Sequence, residues 1–199
     1  MSKPARSSIS TRTPRAGLRE LLRSDEIEER VRDLAAEIAR DYSDSSPLMI
    51  AVLKGAFVFL SDLIRHIDAP VEIDFIRLAS YGSGTIPGEL QVISDITTPV
   101  AGRDVLIVED IVDTGRSLDL LVRMLKDRGA KSVRICALLD KPYRRVVDIP
   151  LDYVGFNIPD VFVVGYGIDL GERHRELPDI YAVEQGEASS ERSELSAQN

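Results

Sequence analysis

The sequence predicts an α/β fold with a mostly parallel central sheet flanked by helices. Three observations carry this. Aliphatic runs too short for a helix recur at residues 48–53, 105–108 and 135–139, as strands covered on both faces require. Stretches with apolar residues at helical spacing follow them. Strand and helix patterns then alternate along the chain, which implies βαβ crossovers within one sheet.

In order, Ser24 caps a helix opened by Asp25 and Glu26, with Ile27, Val31, Leu34, Ala35, Ile38 and Tyr42 on one stripe and residues 43–47 closing it. Residues 48–53 form a buried strand, and after Lys54 and Gly55 a helix presents Phe57, Phe59, Leu60, Leu63 and Ile64. Val71, Ile73 and Phe75 alternate as a strand, residues 80–88 form a glycine-rich loop, and Leu90 and Val92 alternate again, a hairpin-like excursion. A strand over 105–110, a helix through Arg128 with Gly129 at its C-terminal end, and a strand over 132–139 make a βαβ unit. Short apolar runs at 153–156 and 161–166 finish the ordered region. No internal repeat is visible.

With 199 residues, 44% of them hydrophobic, the chain suits one well-buried domain, expected over residues 21–185. Residues 1–20 and 186–199 are expected to be disordered tails, the first Arg/Ser-rich and free of acids to residue 16, the second acidic. The basic start faintly resembles a transit peptide but lacks an apolar face. Cys136, the single cysteine, sits in an apolar run and reads as an inert core thiol in a cytoplasmic protein. No stretch has the length of a membrane span. A net charge of −8 argues against general affinity for nucleic acid or anionic membrane, so any phosphate affinity must be local.

Such a locality exists at residues 105–118. Four aliphatics lead into Glu109, Asp110 and Asp113, and Thr114-Gly115-Arg116-Ser117 then offers hydroxyls, a close-approach glycine and free amides at a helix start. Unpaired N–H groups and the helix dipole favour a phosphate there. The acid pair would repel a phosphate but accepts hydrogen bonds from neutral hydroxyls, as a ribose diol offers, leaving Asp113 facing the sugar's reacting carbon or its base. Asp113-Thr114-Gly115 is also the aspartic-protease triplet, but that site belongs to an all-β fold. No Walker loop is present, and Gly82-x-Gly84 and Gly165-x-Gly167 lack the third glycine of a dinucleotide loop. The plain alternative is a strand-turn-helix with solvated acids.

This order of acids and loop resembles the phosphoribosyl-pyrophosphate (PRPP) signature of the type I phosphoribosyltransferases. Asp140-Lys141-Pro142, residues 154–160, residues 162–169 and Arg175 within residues 172–178 are similar to the hypoxanthine-guanine members, and the resemblance runs in order over about residues 24–183. It implies the type I phosphoribosyltransferase fold, with a small hood and a mobile active-site loop beginning at Ser80-Tyr81. It also implies transfer of 5-phosphoribosyl from PRPP to hypoxanthine or guanine, with Mg2+ and with a homodimer or homotetramer as the assembly.

Carried over residue by residue, Glu109 and Asp110 would hold the ribose hydroxyls, and Asp113, Thr114, Gly115, Arg116 and Ser117 the 5′-phosphate, with Asp113 exchanging a proton with purine N7. Lys141, Phe162, Val163 and Asp169 would surround the base: a lysine donating to the 6-oxo group, a stacking ring, and a backbone reading the base edge. Lys54, Gly55 and Arg175 would bind pyrophosphate, with a cis peptide typical before the lysine. Glu109, Asp110 and Asp169 would serve the metal. Arg116 stands where the family loop often has a bulkier residue, and Ser117 replaces a frequent threonine. A second reading, a regulatory nucleotide-binding protein resembling the pyrimidine-operon attenuators, is opposed by the acidic charge and the lack of a basic face.

Overall fold

The computed structural model describes residues 17–81 and 89–184. In chain order the elements are β1 (Leu18–Leu22), α1 (Ser24–Asp41), β2 (Leu48–Leu53), α2 (Phe57–His66), β3 (Glu72–Tyr81), β4 (Glu89–Ser94), β5 (Asp104–Val112), α3 (Arg116–Asp127), β6 (Ser132–Asp140), a 3-10 turn (Pro142–Arg144), β7 (Tyr153–Asn157), β8 (Val163–Val164) and β9 (Ile180–Val183).

Six strands form the main sheet in the order β4-β3-β2-β5-β6-β7. All neighbours run parallel except β4, which turns back along β3 as the hairpin pattern predicts. Alternate residues of the central strands serve two cores. Met49, Ala51, Leu106, Val108 and Leu138 pack with the predicted stripe of α1 and with Phe59, Leu60 and Leu63 of α2. Leu48, Ile50, Val105, Ile107 and Ile135 pack with Leu118, Leu121 and Leu125 of α3. Cover on both faces is what lets these strands be continuously apolar. Cys136 lies in the first core, where burial pushes its thiol far up, in keeping with an inert residue.

The strand over 71–75 exists, but Ile73 and Phe75 remain 41% and 37% exposed. Their register partners Met49 and Ala51 place them on the α1/α2 face, whereas Ile76 on the opposite face is buried.

A second, three-stranded sheet in the order β1-β9-β8 forms the hood. It corrects the expected tail, because residues 18–20 lie in β1, where Leu18 pairs with Val183. Residues 1–16 and 185–199, and with them the rest of both expected tails, lie outside the described residues, as do Gly82, Gly84 and Gly88. The α1 cap is also corrected. Ser24 is already helical; its backbone N–H donates to Asp179 Oδ1 at 2.8 Å, and the preceding Arg23 N–H donates to Glu26 at 2.9 Å. Asp179, 3% exposed, also accepts from the Tyr181 hydroxyl at 2.9 Å. A buried carboxylate from β9's approach thus caps the first helix across 155 residues of chain. Among the described residues no helix is long and apolar enough to cross a membrane.

Asp179→Ala removes the acceptor of the Ser24 amide and of the Tyr181 hydroxyl, and should lower unfolding free energy by about 1–3 kcal/mol in urea titrations, the usual range for hydrogen bonds to a charged group. A loss within error would remove Asp179 as the tie between hood and helix.

Candidate active site

In an open parallel sheet the ligand end is where strands finish. Here β2 delivers Lys54, β5 delivers Glu109 to Asp113, and β6 delivers Asp140 and Lys141 to that same end. Glu109 and Asp110 sit half-buried near the end of β5. Burial, and then the neighbouring Asp110 charge, raise Glu109 well above the ordinary range, while burial pushes Asp110 up to about 6 against the pull of backbone amides. Glu109 Oε2 is buried with no hydrogen-bond partner among the described residues, an acceptor left for something else. A Cβ at Gly55 would overlap the Asp110 carboxylate, so only glycine lets the turn after β2 pass over the acid.

After β5 the chain turns at Asp113 and Thr114 into α3. Gly115 occupies the left-handed region at φ +82°, with Val147 O only 2.9 Å from where a side chain would begin, so a larger residue is excluded twice. Gly115 at the N-cap offers no side chain to the first turn of α3, whose Arg116 N–H makes only a long 3.5 Å contact to the Thr114 hydroxyl. The Thr114 carbonyl accepts from Val146 and Val147 N–H at 3.0 and 3.1 Å, tying this loop to the segment after Lys141. Asp113 is half-exposed and accepts from Arg144 Nε at 2.9 Å; Arg144 also lies 3.6 Å from Asp160.

Lys141 is buried, and its backbone N–H donates to Val112 O at 2.9 Å. Burial pulls its ammonium below the ordinary lysine value, with Asp113 and Asp160 opposing. Its Nζ stands 5.8 Å from the centre of the Phe162 ring. That ring is 47% exposed beside the buried Val163, so it is not a core side chain. Asp140 is paired with Arg145.

Lys54, Gly55, Asp169 and Arg175 also converge. The Leu53–Lys54 peptide is cis. Lys54 Nζ donates to both carboxylate oxygens of Glu172 at 2.8 and 2.9 Å. Arg175 pairs with Asp169 at 2.8 Å and with Glu172 at 3.3 Å, its NH1 donates to Gly167 O at 2.8 Å, and its Nε is buried with no partner among the described residues. Asp169 is therefore partnered rather than an unmatched turn acid. Ser80 and Tyr81, expected to begin a loop, are the last residues of β3, paired with Leu90 and Glu89; the loop itself lies outside the described residues.

Sequence reading missed Arg144, Arg145 and Glu172. Arg144 and Glu172 find partners 31 and 118 residues away, in Asp113 and Lys54, and Arg145 pairs with the nearby Asp140; the double arginine after Lys141-Pro142 is the one cue that more than a solvated turn was present. A cavity of about 670 Å3 between α1, α2 and the hood shares Arg175 with this cluster but none of the carboxylates at the end of β5.

Comparison with known proteins agrees with this geometry. The phosphoribosyl transferase domain model matches residues 17–170. A hypoxanthine-guanine phosphoribosyltransferase of Bacillus subtilis is 51% identical over 161 residues, 80% of this chain and 89% of that protein. Among solved structures, a hypoxanthine-guanine phosphoribosyltransferase of Bacillus anthracis is 46% identical with a TM-score of 0.80, covering 83% of this chain and 98% of its own. A hypoxanthine phosphoribosyltransferase of Staphylococcus aureus is 41% identical with a TM-score of 0.82, covering 85% and 94%.

The acid pair also sets a pH dependence. With Asp110 at about 6 when folded against 3.8 as the ordinary value, the native state keeps a proton that the unfolded chain has lost. That stability is full below about 3.8 and disappears as pH rises through about 6, by roughly 1–3 kcal/mol. Urea unfolding at pH 5 and 7 should show a larger decline for the unliganded wild type than for Asp110→Asn; equal declines would count against desolvation of the Asp110 carboxyl.

Proposed function

The chain belongs to the phosphoribosyl transferase family, and from that premise we propose that it is a purine-salvage enzyme transferring 5-phosphoribosyl from PRPP to N9 of hypoxanthine or guanine, with release of pyrophosphate. The observation that carries the reading is the sequence of functions along β5 and its exit: an acid pair with an orphaned buried acceptor, a half-exposed aspartate, then a helix start whose N-cap glycine offers no side chain.

The 5′-phosphate lies on the first amides of α3 with the Thr114 and Ser117 hydroxyls. Glu109 and Asp110 accept from the ribose hydroxyls, which orients the anomeric carbon. Lys141, a pure donor, meets the purine's 6-oxo acceptor, and Phe162 stacks on the ring, worth about 1–3 kcal/mol in comparable base–aromatic contacts. Val163 backbone groups and the Asp169 region bound the base. Asp113 takes or returns the N7 proton as the glycosidic bond forms. Lys54, the Gly55 amide and Arg175 receive the departing pyrophosphate.

Magnesium fits this donor set. The ion is usually held by one or two carboxylates with substrate oxygens completing its shell, and the free Glu109 Oε2 supplies a hard donor. Glu109, Asp110 and Asp169 are the residues that would hold it, although among the described residues no three such ligands already gather as a cage. When bound, it neutralises charge on pyrophosphate. A homodimer or homotetramer would cover the exposed Phe57, Ile73 and Phe75. The cytoplasm is the proposed compartment, and neither nucleic acid nor membrane is a proposed partner.

The direct test is pyrophosphate release from PRPP and magnesium with each purine and pyrimidine base in turn; activity with hypoxanthine or guanine supports the reading, and activity confined to a pyrimidine overturns it. Asp113→Asn should keep PRPP affinity while turnover drops about 10²–10⁴-fold, the range for general acid–base groups. Wild-type turnover in that variant would take Asp113 out of the reaction.

Base choice is the sharper check. Adenine offers an amino group where Lys141 needs an acceptor, and a site built to pair a polar group discriminates by roughly 10⁴–10⁵. Adenine should therefore be a very poor substrate by kcat/KM, and Lys141→Ala should weaken hypoxanthine and guanine together while sparing PRPP. Equal use of adenine and hypoxanthine by the wild type would refute the 6-oxopurine assignment.

A further inference from the structure

We propose that Glu172 is an internal occupant of the pyrophosphate subsite: its carboxylate holds the Lys54 ammonium and the Arg175 guanidinium in the unliganded chain, yields them to pyrophosphate, and takes them back as pyrophosphate leaves. The inference rests on the phosphoribosyl-transfer reading above and assigns a role to a residue that reading leaves aside.

The geometry is specific. Both Glu172 oxygens accept from Lys54 Nζ, at 2.8 and 2.9 Å, across 118 residues of chain, and one of them also lies 3.3 Å from Arg175 NH2. A single carboxylate thus engages two of the cations expected to meet the leaving group. The turn that presents it is unusual for a non-glycine residue: Glu172 has φ +66° in the left-handed region, and its N–H donates to Asp169 Oδ2 at 2.8 Å. Asp169 and Arg175 are themselves paired at 2.8 Å, so the acid is fixed by its backbone between the metal-side acid and the phosphate-side base.

The energetics suit an exchangeable contact. The Glu172 side chain is 62% exposed and that of Lys54 44%, and exposed ion pairs contribute little because water and salt screen them. Such a pair cannot lock the site, but pyrophosphate must displace it before both cations are fully available. One carboxylate against a multiply charged anion loses when ligand is present and wins when it departs. Glu172 therefore weakens pyrophosphate binding and favours release, and it keeps two cations near each other from repelling while the site is empty. Asp169 remains on Arg175 by the more enclosed pair, with 28% and 19% exposed side chains, so the exchange falls chiefly on Lys54.

The test is calorimetric binding of inorganic pyrophosphate with magnesium to the full chain, beside KM for PRPP. Glu172→Gln preserves shape and removes the charge, and should bind pyrophosphate about three- to tenfold more tightly and lower KM for PRPP in parallel, as expected for two exposed ion pairs lost from the unliganded state. Glu172→Ala should move both quantities the same way, and the gap from wild type should narrow in high salt. Unchanged or weaker pyrophosphate binding in both variants, with thermal unfolding midpoints near wild type, would overturn the proposal. If wild type bound no pyrophosphate, or Lys54→Ala bound it as well as wild type, the subsite assignment itself would fall and this inference with it.

Discussion

Everything at the ligand end is organised around two carboxyl groups on consecutive residues of a central strand. Glu109 and Asp110 interact directly at the sheet end, and both are held toward their protonated forms. Desolvation raises both, and the Asp110 charge raises Glu109 further. The surrounding structure adapts to them. The turn after β2 has no side chain where it crosses Asp110, and Arg175 and backbone amides offset part of that carboxylate's burial. Protein groups leave one Glu109 oxygen unanswered, which is the arrangement expected where a ligand completes the hydrogen bonding.

The parallel sheet makes this economical. Because β2, β5 and β6 run the same way, three loops distant in sequence finish side by side, and the hydrogen bonds among them are few but pointed. Thr114 O receives the amides that follow Lys141, and Lys141 N–H returns to Val112 O. The loop read as the phosphate grip and the segment read as the base reader therefore share backbone bonds.

The main sheet was legible in the sequence because β2, β5 and β6 carry apolar runs, β3 and β4 alternate, and the helices keep one stripe, so period and length distinguish them. Hood strands were not. Leu18–Leu22 is short, mixed in polarity and stabilised by a partner at the far end of the chain, and β8 has two residues. Local pattern carries no information about such pairings. The site divides in the same way. Residues 109–117 were readable because strand, acids, loop and helix are contiguous, whereas Arg144 and Glu172 acquire meaning only beside Asp113 and Lys54, 31 and 118 residues away. Ser24 misled for a related reason: a serine before a helix is a sound cap locally, but Asp179 arrives from elsewhere and takes the amide.

The pairing of Leu18 with Val183 brings the two ends of the described domain together, and loop-closure entropy makes contacts of that separation the costliest to form early. The βαβ units can assemble from nearer contacts, so the hood is the natural last step of folding, closing over a sheet already made. The same adjacency means that the chain's connectivity is not what places β1 beside β9. A circularly permuted chain, opened at an exposed loop and joined across the hood, would preserve every element described here while changing the order in which they are synthesised.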